Sequence, residues 1–229
     1  MEYWLPVVTL GWTLLAVVSA ADTPGDLPTG RIRVACVGDS ITCGTGLKDP
    51  GRESYPAVLQ SLLGPGYEVR NFGVSGATAL RNGALPYWIL PEFEAARRFA
   101  PQVVVLMLGT NDAHVRHRGA RARFEADLRA LGRQFADLES RPVVALGLPP
   151  PCYGILRAYN QRVLRREILP AIRRIATEES WRLVDVHQTL SNRARWFPDG
   201  VHPDAVGAAA IAQIVHEGVR MISMERLSP

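Results

Sequence analysis

Beyond residue 30 the chain alternates short apolar runs with longer stretches whose apolar positions recur every three or four residues. Apolar runs set between amphipathic segments are the pattern of a parallel sheet covered by helices on both faces. The pattern predicts strands over 32–37, 67–72, 102–108, 142–148 and 182–186, and helices over 55–63, 92–99, 120–138, 156–178 and 203–222. Pro170 interrupts the fourth helix. Tyr159, Val163, Leu164, Ile168, Ile172 and Ile175 keep helical spacing across it, so a kink is expected rather than a break. The expected fold class is α/β, a three-layer, flavodoxin-like sandwich on a five-stranded parallel sheet with helices on both faces. With 229 residues and no linker or internal repeat, one such domain is expected, over residues 30–224.

Residues 3–21 form an apolar run closing on Val18-Ser19-Ala20-Ala21, and these small residues resemble a signal-peptidase site. The segment 1–21 is read as a secretory signal, which places the protein in the periplasm or outside the cell. Its first residues depart from the usual pattern, with Glu2 and no basic residue before Arg31. An uncleaved membrane anchor, for which the run is just long enough, and a wrongly assigned start codon are the alternatives. No cysteine follows the run to carry a lipid.

Lys and Arg number 26 against 22 Asp and Glu, a net charge of +4, and Lys48 is the one lysine. The arginines scatter from Arg97 to Arg182 among Glu125, Asp127, Asp137, Glu139, Glu167, Glu178 and Glu179. A solvated surface is expected from that interleaving, with no nucleic-acid partner and no stable membrane partner once the N-terminal segment is removed. A weak preference for acidic substrates or anionic surfaces is the remaining reading. Cys36, Cys43 and Cys152 are odd in number, so at most one internal disulfide forms. Cys36 falls in a core strand, which leaves Cys43 and Cys152 as the pair a bridge would join.

The candidate chemistry lies in widely spaced fragments. Gly38-Asp39-Ser40 follows the first predicted strand, Gly73 the second and Gly109-Thr110-Asn111-Asp112 the third, while Asp199-Gly200-Val201-His202-Pro203 precedes the last helix. Ligands in open α/β sheets bind beyond the carboxyl ends of the strands, where these fragments fall. Alone, each has a plain reading: Gly-Asp-Ser and Asn-Asp are ordinary turn residues, and Asp-Gly before His-Pro is a common helix entry. Acyl transfer, however, needs a hydroxyl, an imidazole, a carboxylate to orient the imidazole and donors for an oxyanion. All four are present.

Gly38-Asp39-Ser40-Ile41-Thr42, Asn71-Phe72-Gly73-Val74-Ser75-Gly76, Gly109-Thr110-Asn111-Asp112 and Asp199-Gly200-Val201-His202-Pro203 together resemble the SGNH, or GDSL, hydrolase family. The resemblance covers roughly residues 32–222. It implies that Ser40 is the nucleophile, His202 the general base and Asp199 the carboxylate that fixes the imidazole. It also implies an oxyanion hole of the Ser40 and Gly73 backbone N–H groups and the Asn111 side-chain amide, with no metal and no cofactor. Glu53-Ser54-Tyr55-Pro56 and the stretch from Asn71 to Thr78 resemble the branch containing bacterial carbohydrate O-acetylesterases of the sialate and xylan type. A small acyl group, acetyl, on a glycan or small-molecule ester is therefore the expected substrate, in keeping with short loops and no isolated apolar loop. The alternatives are a lysophospholipase or thioesterase, and a carbohydrate-binding protein that kept the fold without the chemistry. Oligomeric state has no signal in the sequence.

Other polar residues have weaker claims. Ser75 lies in Gly73-Val74-Ser75-Gly76-Ala77, one position short of a Gly-x-Ser-x-Gly elbow, and is expected to shape the loop that places Gly73. His114 and His117 with Asp112 suggest a metal site, but no further ligand accompanies them, so a loop lining the cleft is expected. His187, two residues past Asp185, is placed to approach the site from a strand end, and His216 is expected on the surface of the last helix. Tyr87, Trp88 and Tyr153 either stack on sugar rings or cap the core.

Overall fold

The computed structural model describes Met1, residues 30–154 and residues 161–227. The predicted secretory signal, Met1 apart, lies outside the described residues. Among those residues no helix is long and apolar enough to cross a membrane.

Five strands, β1 (Ile32–Gly38), β2 (Tyr67–Gly73), β3 (Val103–Met107), β4 (Val143–Gly147) and β5 (Arg182–Val184), form one all-parallel sheet in the order β2-β1-β3-β4-β5. The helices are α1 (Ser40–Cys43), α2 (Pro50–Glu53), α3 (Tyr55–Leu63), α4 (Pro91–Arg98), α5 (Phe124–Ala136), α6 (Gln161–Val163), α7 (Leu169–Glu178), α8 (Val186–Thr189) and α9 (Ala205–Leu227).

Successive strand residues point to opposite faces, so each strand feeds two cores. Ala35, Val37, Val104, Leu106 and Leu146 pack under Phe93 of α4, Leu128 and Phe135 of α5 and Ile172 of α7. On the other face Val34, Cys36, Val105 and Met107 pack with Leu59 of α3, Val186 of α8 and Ile211 and Val215 of α9. The result is the three-layer α/β sandwich the periodicity predicts. Surface ion pairs such as Arg174 to Glu125 and Arg133 to Glu179 tie α5 to α7, as the interleaved charges foretell. Such exposed pairs contribute only about 0 to 1 kcal/mol each.

Three elements differ from expectation. The helix expected over 120–138 opens with a 3₁₀ turn, Arg121–Arg123, and is α-helical only over Phe124–Ala136. The stretch 156–160, expected to begin the fourth helix, lies outside the described residues. After α6 the chain widens into a π-helical turn, Leu164–Ile168, which runs into α7 with Pro170 in its first turn. A proline has no N–H for the carbonyl four residues back and crowds it, and the wider turn relieves both problems. β5 stops at Val184 because Asp185 turns to cap α8, its carboxylate accepting the Gln188 N–H at 2.9 Å.

The sheet also levels the future site. Gly38 at the end of β1 is in register with Gly73 on one side and Met107 on the other. Three loops therefore leave the sheet at one height, at the switch point where the strand order reverses. That crevice is where this architecture binds ligands.

Candidate active site

Ser40 begins α1, two residues beyond the end of β1. Asp39 caps that helix, its Oδ1 accepting the Ile41 N–H at 3.0 Å, and Gly44 closes it in the left-handed conformation at φ 92°. The left-handed region is open to glycine without the Cβ clash other residues suffer. A single helical turn thus presents Ser40 Oγ at the carboxyl edge of the sheet. Thr42 holds the turn from beneath, its hydroxyl 3.2 Å from the Tyr55 hydroxyl, and Asn71 holds it from the side by donating to Thr42 O at 2.8 Å.

The imidazole comes from the segment between α8 and α9. His202 Nε2 lies 2.8 Å from Ser40 Oγ, and His202 Nδ1 lies 2.6 Å from Asp199 Oδ2. Asp199 Oδ1 accepts the backbone N–H groups of Val201 at 2.9 Å and His202 at 2.7 Å. Partial burial raises the Asp199 carboxyl, but the hydrogen bonds from His202 and Val201 outweigh it and hold the group below the ordinary carboxylate range. An ionised Asp199 keeps the proton on Nδ1 and leaves Nε2 as the acceptor facing Ser40. The structure thus brings together Ser40, His202 and Asp199.

Asn111, buried in the turn after β3, donates from Nδ2 to Ala77 O at 2.9 Å. Gly73 ends β2, and its N–H donates to Asn71 Oδ1 at 2.9 Å. That amide therefore already has a partner, which the motif alone does not reveal. Ser75 Oγ is hydrogen-bonded to Thr45 Oγ1, joining the loop after β2 to the loop after α1.

Two buried carboxylates surround this machinery. Burial pushes Asp39 up to about 6, although the Ile41 N–H, His202 and Thr110 pull the other way. Asp112 is pushed up to about 7 by burial even though it accepts the Leu80 N–H at 2.9 Å and the Ala79 N–H at 3.3 Å. Sequence reasoning passes over Asp39, Asn71 and Asp112 as positioning groups. Their place inside the matching motifs is the one signal that marks them.

The other polar residues have structural places. His114, His117 and Asp112 do not make a metal site: Asp112 binds backbone amides, and His117 Nε2 accepts the Ala84 N–H at 2.9 Å. Cys43 and Cys152 are free thiols, as is Cys36. Tyr87 is wholly buried and donates its hydroxyl to Phe72 O at 2.7 Å, so it belongs to the core rather than to a sugar platform. Trp88 donates to Ala79 O at 2.9 Å and is covered by the Arg81 guanidinium at 3.5 Å. Tyr153 packs on Phe197, its hydroxyl bonded to Leu190 O. His187 is buried with Nδ1 on Pro149 O at 2.9 Å, lining a cleft of about 510 Å³ with Gln161 and Arg165. Asp185 is spent on Gln188 and on Arg173 at 2.6 Å. His216 is partly exposed on α9.

Residues 36–210 match the model of the GDSL-like Lipase/Acylhydrolase family. The chain belongs to this family. Over 207 residues this GDSL-family chain is 33% identical to an acetylxylan esterase of Xylanibacter ruminicola, a match covering 82% of the chain and 43% of that esterase. The chain thus spans less than half the length of that curated relative. Among solved structures it is similar to an Agrobacterium tumefaciens C58 protein assigned as an arylesterase, with 28% identity, a TM-score of 0.66 and coverage of 83% of this chain and 99% of that one. Est24, a carbohydrate acetylesterase from Sinorhizobium meliloti, shares the fold at a TM-score of 0.68 with 18% identity, covering 84% of this chain and all of that one at 100%.

Proposed function

We propose that this chain is a serine esterase that removes acetyl groups from a carbohydrate through an acyl-enzyme. The observation that carries the reading is the relay from Ser40 Oγ through His202 to Asp199, with contacts of 2.8 and 2.6 Å. Ser40 Oγ attacks the ester carbonyl carbon as His202 Nε2 takes its proton. The tetrahedral intermediate collapses, the C–O bond to the sugar breaks, and His202 returns the proton to the leaving alcohol. Water then attacks the acyl-Ser40 ester by the same route, releasing acetate and restoring the serine.

In this reading the oxyanion is met by the Ser40 N–H, the Gly73 N–H and Asn111 Nδ2. Ser40 opens a helix, and the first amides of a helix have no intrahelical acceptor. Gly73 shares its N–H between Asn71 and the substrate oxygen.

A small acyl group is favoured by where the apolar side chains go. Among the described residues, the large exposed apolar ones beyond Met1 are Ile89, Val115, Leu183, Val206 and Met221, spread from the 3₁₀ turn before α4 to the two ends of α9, and none belongs to the motifs that carry Ser40, Gly73, Asn111 or His202. The similarity to an acetylxylan esterase supports an acetylated glycan. Rates on p-nitrophenyl esters of rising chain length test the acyl class: acetate is expected to be the best substrate, and a preference for C8 or longer would move the reading to a lysophospholipase or thioesterase. Acetate release from a panel of acetylated glycans identifies the acceptor.

A further inference from the structure

We infer that His117 is a positioning residue for the reaction, fixing Asn111 and the loop after β2 in one arrangement. The inference rests on the reading that Asn111 donates to the oxyanion. His117 lies in the 3₁₀ turn Val115–His117 and is 5% exposed. Its Nδ1 is 2.8 Å from Asn111 O, and its Nε2 accepts the Ala84 N–H at 2.9 Å. A ring nitrogen that accepts carries no proton, so the proton sits on Nδ1 and is donated to Asn111. Both ends of the ring are engaged.

The surrounding bonds show what this ring holds. Asn111 Nδ2 reaches Ala77 O at 2.9 Å, and Asp112 takes the amides of Ala79 and Leu80. His117 adds Ala84, so the turn after β3 grips the 77–84 loop along its length. It differs from the other contacts in holding the backbone of Asn111 itself. Asn111 O also accepts the His114 N–H at 3.0 Å. The peptide that follows the Asn111 side chain is thus held by a side chain as well as by its own turn. Misplacing a catalytic donor by about 1 Å costs on the order of 10²-fold in rate.

The two bonds can be separated by substitution. In His117→Asn the side-chain amide nitrogen occupies the place of Nδ1 and keeps the donation to Asn111 O, while the Ala84 N–H, on an exposed residue, turns to water. In His117→Gln the amide oxygen occupies the place of Nε2 and keeps Ala84, while the buried Asn111 O loses the bond from residue 117.

The test is steady-state kinetics on p-nitrophenyl acetate with His117→Asn, His117→Gln and His117→Ala, each with its thermal unfolding midpoint, beside Asn111→Ala. The expected result is a kcat loss of about tenfold to a hundredfold in His117→Gln and His117→Ala with KM unchanged, and recovery of most of kcat in His117→Asn. A Gln variant as active as the Asn variant, or kcat falling in step with the unfolding midpoint in all three, overturns the inference. Should the alanine variant not fold, the Asn and Gln pair decides; should neither fold, His117 serves the fold and the inference falls. Full kcat in Asn111→Ala would instead sink the oxyanion reading. Loss in Asn111→Ala with full kcat in every His117 variant sinks the positioning role alone.

Discussion

Gly73 approaches α1, the helix that opens with Ser40, so closely that a Cβ at this position would lie 2.3 Å from Cys43 N and 2.7 Å from Thr42 C. Both contacts are to backbone, which cannot rotate aside. Gly73→Ala is expected to push α1 away from β2, destabilising the fold by about 3 kcal/mol and moving Ser40 relative to His202. Chemical denaturation and kcat measure the two effects. Wild-type values for both would show that the loop yields at no cost.

Asp199 decides which nitrogen of His202 faces Ser40. In Asp199→Asn the amide can donate to Nδ1, which turns the imidazole into the tautomer with its proton toward Ser40. A kcat loss of about 10⁴-fold with little change in KM is expected. Retention of activity within tenfold would mean that another carboxylate orients the ring.

Asn111→Ala removes an amide that also bonds Ala77 O. A fall of about 10² to 10³ in kcat, or about 2.7 to 4 kcal/mol, is expected against a stability loss of about 1 kcal/mol for the missing hydrogen bond. Kinetics on an activated acetyl ester separate the two.

The buried Asp112 makes stability depend on pH in a set direction. Its folded value of about 7 lies above the ordinary value of about 3.9, so between the two the folded chain binds more protons than the unfolded one. Its contribution is full below about pH 4 and is lost as pH rises through about 7. Asp39, at about 6, acts in the same direction over the lower part of that window. His187 opposes them, because burial lowers its pKa and its contribution is lost as pH falls below the ordinary histidine range. The difference between wild type and Asp112→Asn isolates the carboxylate. Urea denaturation from pH 4 to 8 should show the cost of the substitution shrinking as pH rises, and a constant cost would refute the assignment.

All three cysteines are free thiols. A reducing agent is therefore expected to leave the thermal midpoint unchanged, and thiol titration of the unfolded chain should count every cysteine. A midpoint that drops on reduction would reveal a bridge.

Much of this architecture is legible in the periodicity. The all-apolar run Val103-Val104-Val105-Leu106-Met107 could only be a strand covered on both faces, and it is buried throughout. The proposed triad is legible through its motifs, since Asp199 and His202 belong to one turn. What the motifs hide are contacts between segments distant in sequence. Nothing local marks Asn71 as the donor to Thr42 O, 29 residues away, and the pairing of His117 with Ala84 spans 33 residues. Tyr87 misleads in the same way: a tyrosine in a polar loop looks available, and only the fold shows its hydroxyl reaching back to β2. The π-helical turn before Pro170 is likewise a tertiary solution to a local conflict.

The 162 positions between Ser40 and His202 carry a consequence for biosynthesis. Ser40 emerges with the first strand, but His202 is added only after all five strands of the sheet have been made. If the two act as proposed, a growing chain is chemically silent until its final turn docks, and the first hydrolysed ester reports that the entire domain has assembled.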